Sequence, residues 1–212
     1  MTRKRVAVLI SGRGSNMAAL IEAAKDPAYP ALISLVISNR PDAVGLATAG
    51  KAGISTVVID HKSFGKDREA FERVLQAKLE QEKIDLLCLA GFMRLLSPWL
   101  VSRWENRMLN IHPALLPAFK GLDTHARALA AGVKVHGATV HFVVPEMDAG
   151  PIIVQGSVAV HADDTADALA ARVIAVEHKI YPQALMLVAS DRVSVKDGRC
   201  YIDGVRVPDA PQ

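Results

Sequence analysis

Two cysteines in 212 residues, Cys88 and Cys200, are too few for a disulfide framework or a four-cysteine zinc site. Cys88, inside Leu86-Leu87-Cys88-Leu89, reads as a small buried hydrophobe. Aromatic residues make up 5% of the chain, too little for a surface that stacks nucleic-acid bases. Apolar runs are short as well: Leu86 to Met93 falls far below the roughly 20 residues that cross a bilayer. Neither sign of charge dominates, since 25 Lys and Arg against 22 Asp and Glu leave +3. The one basic cluster, Arg3-Lys4-Arg5, reads as a solvated end rather than a nucleic-acid arm. Val6 to Ile10, which follow it, are shorter than the roughly 7 to 15 apolar residues of a secretory signal. A cytoplasmic protein without nucleic-acid or membrane partners is therefore expected.

The composition that remains, 50% apolar and 22% charged, suits a globular chain with a real core. Its length fits a single domain over 1–212, with an N-terminal half of about 1–105 and a C-terminal half of about 106–212. In the first half, short apolar runs (Val6 to Ile10, Leu32 to Ile37, Thr56 to Ile59, Ile84 to Ala90, Met108 to Ile111) alternate with helical patterns. The helices are expected near Asn16, Ala43, Asp67 and Pro98, the third with Phe71, Val74, Leu75 and Leu79 on one face. This is the pattern of βαβ units and a mostly parallel, Rossmann-like α/β sheet with helices on both faces. Later the chain reads as strand Ala138 to Val144, acidic loop Pro145 to Gly150 and strand Pro151 to Val160. A helix from about Thr165 to Ile180, stopped by Pro182, follows. An Asp197-Gly198 hairpin joins Val193 to Lys196 with Arg199 to Ile202, and Pro208 to Gln212 reads as a loose tail.

Three stretches carry chemistry. Ser11-Gly12-Arg13-Gly14-Ser15-Asn16 follows the first strand and opens a helix, where glycines turn the backbone and helix N–H groups attract an anion. A phosphate is the natural occupant, and a plain glycine-rich turn the alternative. A dinucleotide fingerprint would want Gly or Ala at Met17 and an acid where Asn39 stands, and a P-loop would want Gly-Lys-Ser/Thr.

In Leu109-Asn110-Ile111-His112-Pro113, strand alternation puts Asn110 and His112 on one side, and Pro113 ends the strand. A polar pair in a doubly covered sheet belongs at its carboxyl edge, where such sheets bind ligands. An amide donor beside an imidazole, with no nucleophile next to them, suits oxyanion stabilisation and proton movement. Asp148, in Met147-Asp148-Ala149-Gly150-Pro151, would favour the imidazolium if it met His112, and is otherwise a turn aspartate. His125, His136 and His141 match no metal motif and read as a polar pocket wall or hydrogen-bonded core.

Together with Ala90-Gly91-Phe92-Met93-Arg94, Leu115-Leu116-Pro117 and His136-Gly137, these motifs resemble the phosphoribosylglycinamide formyltransferase family, in family order from about Val6 to Tyr181. The resemblance implies formyl transfer from 10-formyltetrahydrofolate, as co-substrate, to the amine of glycinamide ribonucleotide in purine synthesis, without a metal, by a monomer or homodimer. It assigns catalysis to Asn110, His112 and Asp148, and the substrate phosphate to Gly14, Ser15 and Asn16. It further assigns a substrate contact to Glu177, and folate contacts to Arg68, Met93, Arg94, Leu95, Leu96 and Asn110. Ile174 departs from family members that carry a polar residue three positions before the glutamate. By spacing alone, Met93, Leu95 and Leu96 read as core, Arg68 as a first-turn surface residue, Arg94 as a loop cation and Glu177 as a solvated helix face. The alternatives are a formyltetrahydrofolate hydrolase or a non-catalytic folate- or nucleotide-binding protein. The length leaves no room for the extra domains expected of a hydrolase or a methionyl-tRNA formyltransferase.

Overall fold

The computed structural model describes residues 2–208, so residues 209–212 of the expected loose tail lie outside the described residues. Two compact units divide the chain, Met1–Leu109 and Asn110–Gln212.

In the first unit, β1 (Lys4–Ile10), α1 (Ser15–Ala23), β2 (Ala31–Ser38), α2 (Val44–Lys51), β3 (Ser55–Val58), α3 (Arg68–Gln81), β4 (Leu86–Leu89) and α4 (Pro98–Arg103) alternate along the chain. The strands lie in the order β3-β2-β1-β4, and every pairing among them is parallel. Val6 to Ile10 and all of β4 are buried, which is why these strands are apolar without alternation. α3 is capped by Asp67, whose side chain accepts the Ala70 N–H at 2.9 Å. Its inner face carries Phe71, Glu72, Leu75 and Leu79, whereas Val74, expected inward, is 46% exposed. Val74 lies beside that stripe, and the inward place belongs to a glutamate with its own hydrogen bonds. The basic start also differs from a solvated end, because the Arg3 guanidinium donates to the Ala31 carbonyl at 3.0 Å and also to that of Ala24.

β5 (Met108–His112) leads into the second unit, followed by α5 (Thr124–Ala130), β6 (Val135–Phe142), β7 (Ile152–Ala159) and α6 (Ala166–Ala189). There the order is β5-β6-β7, with β6 and β7 antiparallel and α6 packed on both. β6 starts three residues earlier than the sequence pattern suggests. Val135 to Gly137 pair with Ser157 to Ala159, and glycine is required at 137 because a Cβ there would lie 2.0 Å from the Gly156 carbonyl oxygen.

α6 continues through Pro182 instead of stopping. A proline inside a helix costs about 3 kcal/mol, but Leu185 and Leu187, both buried beyond it, each return about 1.5–3 kcal/mol on leaving water. β8 (Val193–Lys196) and β9 (Arg199–Ile202) form the Asp197-Gly198 hairpin, and a second Asp-Gly turn adds β10 (Val205–Arg206) to make three strands.

Candidate active site

The second unit joins three of the expected residues. Asn110 and His112 alternate on β5, and Asp148 comes from the loop between β6 and β7. Asp148 Oδ2 lies 3.3 Å from Nδ1 of His112 and accepts the Gly121 N–H at 2.9 Å. The other imidazole nitrogen, Nε2, lies 2.9 Å from the Phe119 carbonyl oxygen. Both His112 nitrogens thus face oxygens that can accept a hydrogen bond from the ring.

Sequence reading left one partner among the pocket walls. His141 on β6 stands 3.2 Å from Asn110 Nδ2 through its Nε2, 3.8 Å from Asp148 Oδ1 through the same nitrogen, and 2.8 Å from the Phe142 carbonyl through Nδ1. Burial lowers its pKa, outweighing the Phe142 bond and Asp148, which act the other way. A neutral ring with its proton on Nδ1 accepts the Asn110 amide N–H and so orients that carboxamide.

Gly150 sets the loop that delivers Asp148. A Cβ at 150 would fall 1.8 Å from the Phe142 carbonyl oxygen, so the chain lies directly against β6 two residues after the aspartate. Asp148 itself has φ of 51°, a left-handed conformation that aspartate tolerates better than most residues. Thr139 on β6 holds the Ala114–Leu116 turn: its hydroxyl donates to the Ala114 carbonyl at 2.7 Å and accepts the Leu116 N–H at 3.0 Å.

Beside His112, the rings of His125 and His136 meet edge-to-face with centroids 5.3 Å apart. Burial drives the pKa of His136 down to about 4, helped by His125, and burial also lowers that of His125. These rings stay neutral and place no competing charge next to His112. Among the described residues, no group of three or more His, Cys, Asp or Glu is arranged to hold a metal ion.

In the first unit, Gly14 caps α1 with φ of 71°, and the Ala18 N–H donates to the Gly14 carbonyl at 2.9 Å. Glycine suits this left-handed corner, and the amides of a helix's first turn, here from Ser15 onward, are donors of the kind that suits an anion. Gly45 supports the turn, which sequence reading did not find. Its N–H donates to the Gly12 carbonyl at 3.0 Å, and a Cβ there would meet Ile10 Cδ1 at 2.6 Å.

Arg68 is exposed at the start of α3, as its position implied. Met93 and Leu95 are 70% and 61% exposed, and Leu96 is half-buried, so this stretch is not core. The Arg94 guanidinium instead covers the Phe71 ring at 5.2 Å, and Met93 and Leu95 face outward. Glu177 is buried on α6, against the solvated-face reading, because it lies four residues after Val173 and three before Ile180, on the same buried face.

The chain resembles known proteins over most of its length. The family model described as formyl transferase matches residues 4–185. The chain is 51% identical to the trifunctional purine biosynthetic protein adenosine-3 of Bos taurus over 94% of its own length, but spans only 20% of that protein. It is 44% identical to the phosphoribosylglycinamide formyltransferase of Escherichia coli, covering 96% of this chain and 95% of the relative. Among solved structures, the phosphoribosylglycinamide formyltransferase of Coxiella burnetii in complex with CHES superimposes with a TM-score of 0.92 at 42% identity, covering 98% and 97% of the two chains. An Asn–His pair at the end of β5, an aspartate brought to it by a glycine-tight loop and end-to-end likeness of this extent lead to one conclusion: the chain belongs to the formyl transferase family, among its phosphoribosylglycinamide formyltransferases.

Proposed function

We propose that the protein transfers the formyl group of 10-formyltetrahydrofolate to the amine of glycinamide ribonucleotide, giving formylglycinamide ribonucleotide in purine synthesis. The observation that carries this reading is the contact set of Asn110, His112, Asp148 and His141 in a chain of this family. The substrate amine attacks the formyl carbon. The remaining Asn110 amide proton and the His112 imidazolium stabilise the oxyanion that develops. Asp148 holds His112 protonated and helps relay the proton to the departing folate nitrogen.

Gly14, Ser15 and Asn16 receive the ribonucleotide phosphate, a role supported by the left-handed Gly14 cap and the amide donors that open α1. Glu177 contacts the ribonucleotide. Arg68, Met93, Arg94, Leu95, Leu96 and Asn110 bind the folate, a role supported by the outward-facing apolar side chains at 93 and 95. The chain works as a single formyltransferase domain in the cytoplasm, as a monomer or homodimer. No helix among the described residues is long and apolar enough to cross a membrane.

The test is an absorbance assay with a 10-formylfolate analogue, run with and without glycinamide ribonucleotide. Deformylation that requires the ribonucleotide is expected. Loss of the formyl group without it would make the protein a hydrolase, and binding without turnover a non-catalytic binder.

A further inference from the structure

α3 carries Arg68, Phe71 and Glu72 at spacings of three and four, which puts the three on one face of the helix. Phe71 and Glu72 are buried, and both grip the loop over residues 91–97. Phe71 lies beneath the Arg94 guanidinium. Glu72 spends both carboxylate oxygens on one residue: Oε1 accepts the Ser97 N–H at 2.6 Å, and Oε2 accepts from the Ser97 hydroxyl. A carboxylate out of water is tolerable only when it is hydrogen-bonded, and here both bonds reach the far end of that loop.

Ser97 makes the arrangement informative. It stands at the N-cap of α4, where a serine hydroxyl ordinarily accepts an N–H from the first helical turn. This one makes no such cap bond and donates to Glu72 instead. Pro98 at the first helical position already presets the backbone for α4, which leaves the hydroxyl for the loop. Between Arg94 over Phe71 and Ser97 on Glu72 the loop holds Leu95 outward, while the exposed Met93 lies just before that span and is tied through its N–H to the Ser11 hydroxyl at 2.8 Å.

We infer that Glu72 is a positioning residue which, through Ser97, fixes the Arg94–Leu96 segment relative to Arg68 and so sets the affinity for the formyl-folate co-substrate. The inference rests on the folate assignment of Arg68 and Met93–Leu96 made above, and adds a residue that touches neither substrate.

The test compares Glu72→Leu, which removes both bonds, with Glu72→Gln, which can keep an acceptor toward the Ser97 N–H and a donor toward its hydroxyl, and with Ser97→Ala, which removes one bond and keeps the fold. Three quantities are read: the Kd of a non-reactive 5,8-dideazafolate by fluorescence, steady-state constants for both substrates, and amide hydrogen exchange over residues 92–97.

Loss of bonds to a charged group predicts that Kd and the folate KM rise roughly tenfold or more in Glu72→Leu. They should rise less in Ser97→Ala and stay within about threefold of wild type in Glu72→Gln. Ribonucleotide KM and kcat are expected to stay within about twofold. Faster exchange over 92–97 should accompany the weaker folate binding. Should Glu72→Leu fail to fold, Ser97→Ala decides alone. Unchanged exchange in Ser97→Ala overturns the clamp. Faster exchange with unchanged folate Kd, or equal losses in both KM values and kcat, overturns the positioning role. If wild type transfers no formyl group, the proposed function fails separately, and the dideazafolate Kd and the exchange data still judge the clamp.

Discussion

Asn110 Nδ2 stands 3.2 Å from Nε2 of His141, while Nδ1 of the same ring faces the Phe142 carbonyl at 2.8 Å. The carbonyl can only accept, so Nδ1 carries the proton and Nε2 receives the Asn110 N–H. Burial lowers the pKa of His141 and keeps the ring in that neutral form. The amide end of Asn110 is thereby fixed toward His141, and its second proton is the one the proposed mechanism directs at the substrate oxygen.

Asn110→Ala is expected to lose about 100- to 1,000-fold in kcat, the usual loss for one oxyanion donor. His141→Ala removes one orienting hydrogen bond and should cost on the order of tenfold in kcat with little change in KM. Because His141 acts through Asn110, the double variant should be no slower than Asn110→Ala. If the two losses multiply instead, His141 has an independent role.

His112 sits between a carboxylate and a carbonyl, at 3.3 Å from Asp148 Oδ2 and 2.9 Å from the Phe119 oxygen. His112→Ala removes the acid, and turnover should fall by about 100- to 10,000-fold with circular dichroism unchanged. Asp148→Asn keeps the volume but removes the carboxylate beside His112 Nδ1, and kcat should fall in the same range. A folded His112→Ala enzyme with near-normal turnover removes the mechanism.

How much of this was legible in the sequence depended on the range of the forces involved. The first-unit strands and the capped start of α3 are local matters of apolar runs and an Asp67 side chain, and they lie where the pattern put them. The alternation of Asn110 and His112 is equally local. α6 was misjudged at Pro182 because a one-residue rule met the burial of Leu185 and Leu187, which only tertiary packing supplies. His141 lies 31 residues beyond Asn110, and nothing in its spacing marks the bond between them. Glu72 looks like any helix-face glutamate until Ser97, 25 residues on, fills both its oxygens.

Gly150→Ala tests how closely the chemistry depends on the loop that carries Asp148. The added methyl carbon would sit 1.8 Å from a backbone oxygen of β6, far inside contact distance, and a strand carbonyl cannot rotate away. The loop must shift, taking Asp148 from His112. Stability should fall by about 1–3 kcal/mol, the cost of overpacking, and kcat by about 100-fold or more, since a displacement of about 1 Å can cost that much. Denaturant titration and steady-state kinetics read the two effects. Unaltered kcat in a folded Gly150→Ala protein would show that Asp148 need not be held there.

The neutral histidines of the second unit predict acid sensitivity. In the fold His136 has a pKa of about 4, against 6.5 for a free histidine, chiefly because it is buried. Between those values the unfolded chain binds a proton that the folded one refuses, so stability rises with pH across that window. The contribution is fully present above about pH 6.5 and is lost as pH falls toward 4. Discounted for residual screening, it amounts to about 2 kcal/mol. His125, His141 and His178 shift the same way through burial and add to the trend. Thermal melts from pH 7.5 to 4 should therefore show Tm falling most steeply below pH 6.5, and His136→Gln, which cannot take up the proton, should flatten that fall. A variant whose Tm follows pH as steeply as wild type does would mean that acid acts through other groups.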